Sequence, residues 1–164
     1  MSALSPSENN RIIFEGHRVE DDTSRAFYQH DLGIVAESNT FVPTNPTNTA
    51  EYGYLKTLVM RHLDWDCRIP SPFISVYGDC EHAEREAERR ARQGRHNVVL
   101  REIIVTEDDL PATCYSLQWL FVPELLEDVL GCEVPDFVGG NADPEFLFVH
   151  HIPKECVCGF RWYS

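Results

Sequence analysis

The stretch "SPFISVYGDCEHAEREAERRARQGRHNVVLREIIV", residues 71–105, carries three elements in a row. Ser71-Pro72 opens an extended segment, and Phe73, Ile74, Val76 and Tyr77 have the aromatic and β-branched character of a strand. A helix is predicted over 79–94, with Asp79 as N-cap and Gly94 as its stop. Ala83, Ala87 and Ala91 recur every four residues, so one narrow face can pack closely. Glu/Arg pairs at helical spacing occupy the other side, which predicts a solvated face for Arg85, Arg89, Arg90, Arg92 and, just beyond, Arg95. "NVVLREIIV" (97–105) then reads as a second strand.

The flanks extend this unit without repeating it. "RIIFEGHRV" (11–19) reads as a strand ended by "EDDTS". Residues 38–50 are rich in Asn, Thr and Pro and read as a surface loop. Tyr54, Leu55, Leu58, Val59 and Leu63 give residues 50–65 helical spacing. "PELLEDVLG" (123–131) predicts another helix, with Pro123 in its first turn. "EFLFVHHIP" (145–153) reads as one strand and "CVCGFRWYS" (156–164) as another. Strands and helices mix without regular alternation, which favours an α+β fold over a doubly wound parallel sheet. Residues 1–10 are polar and expected to fray, leaving 11–164 as one domain.

The totals bound the function. In 164 residues the net charge is −13, which disfavours a protein whose main task is gripping phosphate backbones and makes a protein partner the better expectation. No apolar run is long enough to span a membrane. The start, "MSALSPSENN", has no basic-then-apolar secretory pattern, so a cytoplasmic location is expected, with delivery into another cell left open. The six cysteines are accordingly read as reduced thiols.

Several site chemistries can be weighed. His150, His151, Cys156 and Cys158 lie close in sequence, but adjacent histidines on a strand point to opposite faces and Cys-x-Cys is a weaker zinc signal than Cys-x-x-Cys. They are read as packing residues, with no metal. No cysteine has a nucleophile signature, and no glycine-rich phosphate loop is present. What remains is a set of polar residues on or beside strands: Arg18, His62, Ser75 and Glu145.

Their order and surroundings carry a resemblance. "HRVED" (17–21), "HLDW" (62–65), "SPFISVYGD" (71–79) and "DPEFLFVHHIPKECVCGF" (143–160), with Glu145 seven residues before Ile152-Pro153 and Gly159 six residues after that proline, resemble the ADP-ribosyltransferase superfamily. The likeness is to its Arg–Ser–Glu class, of the cholera-toxin and heat-labile-enterotoxin type. The chain is also similar to a family of fungal proteins with the "SPFISV" core. The resemblance implies split, curved antiparallel β-sheets with flanking helices and an NAD+ cleft, with NAD+ as a substrate. It implies Arg18 at the NAD+ phosphates, His62 on the adenosine-ribose side, and Phe73 or Tyr77 at the nicotinamide. Ser75 would orient the catalytic Glu145. It places Asp143 towards an acceptor, on a loop, "DFVGGNA" (136–142), that Gly139 and Gly140 let move. Arginine-modifying members carry Glu-x-Glu and others Gln-x-Glu, where this chain has Asp143-x-Glu145; of the usual Ser-Thr-Ser only Ser75 is kept. The implied activity is mono-ADP-ribosyl transfer or NAD+ hydrolysis. A catalytically silent binding or regulatory module, or an enzyme of other specificity, are the alternatives.

Overall fold

The computed structural model describes residues 10–112, 117–129, 131 and 145–164. Asp143, Gly139, Gly140, Cys114, Cys132 and the frayed N-terminus expected above lie outside the described residues. The rest form one small α+β domain built on two antiparallel sheets.

The larger sheet has six strands. These are β1 (Ile12–Glu20), β4 (Phe73–Tyr77), β5 (Val98–Thr106), β6 (Trp119–Phe121), β7 (Glu145–Val149) and β9 (Val157–Tyr163), in the order β6-β7-β4-β1-β5-β9. The smaller sheet is β2 (Phe27–Gln29), β3 (Gly33–Val35) and β8 (His151–Pro153). Two long helices flank them. Helix α1 (Thr49–Leu63) is capped by Asn48, whose side chain accepts from Glu51 N, and buries Leu55, Leu58, Val59 and Leu63. Helix α2 (Cys80–Arg92) starts on the Asp79 cap as its sequence requires, and Gly94 follows it at φ +79°. Ala83 and Ala87 are fully buried against Val19, Val98 and Leu100, the close approach that alanine spacing permits.

Three elements depart from expectation. "EFLFVHHIP" is not one strand. His150 takes φ +64°, and the chain leaves β7 in one sheet to enter β8 in the other. The His150 amide donates to Pro72 O (2.8 Å) and its carbonyl accepts from Ala36 N (2.8 Å), so this residue stitches the two sheets together. The stretch beginning at Pro123 makes one α-helical turn (Val122–Glu124) and a wider turn (Leu125–Val129) instead of a regular helix, following a strand, β6, that the sequence did not announce. The arginines of α2 are not uniformly solvated. Asp21, its side chain fully buried at the end of β1, draws Arg90 (3.0 Å) and Arg95 (3.2 Å) inward.

β1 and β4 share a single ladder pair, His17 with Tyr77. Beyond it the strands part, whereas β4 and β7 stay paired along five residues, from Phe73–Val149 to Tyr77–Glu145. The opening between β1 and β4 is where the site forms. No helix among the described residues is long and apolar enough to cross a membrane.

Candidate functional site

Arg18 spans the gap left where β1 and β4 diverge. Its Nη1 donates to Ser75 O (2.8 Å), its Nη2 to Ala26 O (2.5 Å) and its Nε to Glu20 (3.2 Å). Glu20 also accepts from Arg101 Nε (2.9 Å) and from Tyr28 N (3.3 Å). The guanidinium thus replaces the missing ladder bonds and fixes the width of the opening. Three of its five N–H groups are spent within the fold.

Behind the opening runs an ordered hydrogen-bond chain. The last turn of α1 places His62 against β4, with Nδ1 2.5 Å from Ser71 Oγ and Nε2 2.8 Å from Ser75 Oγ. Phe73 N donates to Ser71 Oγ (3.1 Å), and the Ser75 hydroxyl lies near enough to the Glu145 carboxyl to favour its ionised form. Burial, with Arg18 and Arg25 nearby, pushes the His62 imidazole down to about 4, so it is neutral at pH 7. A neutral imidazole has one donor and one acceptor. One tautomer leaves the Ser75 proton free to face Glu145: His62 Nε2–H donates to Ser75 Oγ. Nδ1 then accepts from the Ser71 hydroxyl. In that tautomer the bonds run one way, from Ser71 through His62 to Ser75. Ser71 is a site residue that sequence reading missed; a serine before proline at a strand start gave no signal.

His62 thus lines the cleft and stands against Ser75, which it orients. Its depressed value has a measurable consequence. Between pH 6.5 and 4 the unfolded chain binds a proton that the folded chain refuses, so stability falls as pH falls through that window, by up to about 3 kcal/mol. NMR of the ring nitrogens should show His62 as the neutral Nε2–H form from pH 8 down to near 4; a titration near 6.5 would break the chain.

Glu145 opens β7 directly across from Tyr77. Burial raises its carboxyl above the usual range, while the Ser75 hydrogen bond and the Arg18 charge pull it back without cancelling the rise. Burial also pushes Tyr77 up to about 12, with Glu145 adding to the effect. Of the two aromatics expected near the nicotinamide, Tyr77 keeps accessible surface and tilts against His82 (4.8 Å). Phe73 is 2% exposed and meets His62 edge-on at 5.6 Å, so its ring braces the histidine and has no free face for stacking.

Arg18, His62, Phe73, Ser75, Tyr77 and Glu145 all line one cleft of about 1000 Å³. Residues 16–162, which include every one of them, match the family described as "Domain of unknown function (DUF7587)". The chain belongs to that family. No curated protein and no solved structure gives a match.

The cleft of this DUF7587 domain has a charge that the whole chain hides. Besides Arg18 it is lined by Arg25, Arg61, Arg68, Arg89, Arg90 and Arg95, half of the chain's 14 basic residues. Glu37, Asp64, Asp66, Glu86 and Glu145 are the facing carboxylates, so seven cations meet five anions in a protein of net charge −13. The composition could not show this, because it averages an acidic surface with an arginine-rich cleft wall, three of whose arginines pair with Glu20 and Asp21. The adjacent histidines belong elsewhere. His150 Nε2 bonds Thr40 O and His151 Nε2 bonds Leu32 O. No group of metal-binding side chains occurs among the described residues, and the four described cysteines are free thiols.

Proposed function

We propose that the cleft binds NAD+ and breaks its nicotinamide–ribose bond, with Glu145 as the catalytic carboxylate. The observation that carries this reading is convergence: positions 18, 62, 75 and 145, distant in the chain, meet at one opening that an arginine holds ajar. The cleft lies at the large end of ligand pockets, which run to roughly 1000 Å³, and its arginines suit a diphosphate.

As the glycosidic bond breaks, nicotinamide leaves with the bonding electrons and positive charge builds on the ribose. The Glu145 carboxylate, held by Ser75, accepts from a ribose hydroxyl and stabilises that charge. Water or an acceptor nucleophile then forms the new bond to the anomeric carbon and gives up its proton. The acidic exterior favours a protein acceptor with a basic surface. Nicotinamide release from NAD+, or fluorescence from etheno-NAD+, is the direct test. Binding at millimolar NAD+ without release would instead make the domain a binding module.

The reading also sets a pH profile. Glu145 must be ionised, and its raised value puts the acid limb of kcat above the usual carboxylate range. Ser75 hydrogen-bonds the ionised form and so lowers that value. Ser75→Ala should move the acid limb to higher pH as well as slow turnover. A slower enzyme with an unmoved limb would separate Ser75 from Glu145.

A further inference from the structure

The segment "RHLDWDCRI", residues 61–69, forms a wall of the cleft that the chemistry above uses only through His62. Trp65 is 62% exposed on it, with the Arg89 guanidinium carbon 6.0 Å from the ring centroid. Arg61 and Arg68 are exposed and make no side-chain hydrogen bond or ion pair among the described residues. The turn that presents them is braced. Asp64 accepts from Asp66 N (3.0 Å, side chain) and Cys67 N (3.1 Å, carbonyl). Arg25 reaches across to Cys67 O (3.2 Å) and Arg68 O (2.8 Å), and is itself held by Glu37 (2.7 Å). A fixed turn spares a ligand the cost of ordering it.

We infer that this wall is a nucleoside-phosphate subsite, with Trp65 as the stacking surface for the base and Arg61 and Arg68 as the phosphate-binding cations. An indole exposed in a cleft that two unpaired guanidiniums also line matches a ligand that is flat and apolar at one end and anionic at the other. Asp64 and Asp66 flank Trp65 in sequence, and the chain's −13 surrounds the cleft, so a long polyanion would be repelled where a compact mononucleotide is not. The inference rests on the nucleotide reading of the cleft and gives the adenosine-diphosphate half its own residues.

ADP, which has no nicotinamide to lose, is the probe. Calorimetry on the full chain should show ADP binding at least about tenfold tighter than orthophosphate, from stacking on Trp65. Trp65→Ala should remove that advantage. Arg61→Gln with Arg68→Gln should weaken both ligands and flatten the salt dependence. All three side chains are exposed, so the melting temperature should hold and serve as the fold control. No ADP binding at ten millimolar (roughly a millimolar-affinity limit), or ADP affinity indifferent to both sets of substitutions, overturns the subsite. The two proposals fail separately: NAD+ cleavage that ADP does not inhibit removes this subsite alone, and ADP binding without NAD+ cleavage removes the catalytic reading alone.

Discussion

Glu145→Gln should slow NAD+ cleavage by about 10²–10³-fold, while leaving the fold and NAD+ binding in place. Gln keeps the shape and one acceptor but removes the negative charge. The half-buried Glu145 opens β7 across from Tyr77, and it can still accept from Ser75 after the change. The charge matters only when positive charge appears on the ribose, so the loss should fall on kcat and not on KM. Stability should rise slightly at neutral pH, because burial disfavours the ionised carboxylate and the amide carries no such penalty. A steady-state kcat ratio with a parallel thermal melt checks both halves. A variant that cleaves NAD+ at the wild-type rate removes Glu145 from the chemistry.

Much of this site was written in local sequence. Alternation in "FISVY" puts Phe73, Ser75 and Tyr77 on one side of β4, and the same three side chains line the cleft. The α2 helix is legible because Asp79, the alanine repeat and Gly94 are local signals that agree with one another. What failed to show were tertiary effects. The break at His150 depends on Pro72 O and Ala36 N, which lie over 70 residues away in the chain. An apolar run followed by two histidines has no local mark of a change of sheet. The inward turn of Arg90 and Arg95 depends on Asp21, and burial alone would push that carboxyl up. Its hydroxyl and amide bonds from Thr23, with the two arginines, outweigh burial and hold it below the usual range. Helical spacing predicted a solvated basic face because it counts only partners within the helix. Ser71 entered the site for a similar reason: its role is set by where α1 ends, and its own neighbours say nothing of it.

Arg18→Ala should cost about 3–5 kcal/mol of stability, more than a residue serving only as a phosphate contact could. The side chain is 9% exposed and bridges β1, β4 and the segment before β2. Its removal leaves Ser75 O and Ala26 O without this donor, and Glu20 with Arg101 as its remaining ion-pair partner. The opening between β1 and β4 would lose its spacer at the same time, so ligand binding should fall with stability. Arg18→Lys separates the two roles. An ammonium keeps the charge but cannot reach three acceptors in a fixed planar fork. If the spacer role dominates, Lys should recover little of the lost stability and little of the NAD+ affinity. If phosphate charge dominates, Lys should recover affinity while the melting temperature stays low. Denaturant melts of the three proteins, read beside NAD+ titrations, separate those outcomes. A wild-type melting curve for Arg18→Ala would mean that the gap is held open by something other than this guanidinium.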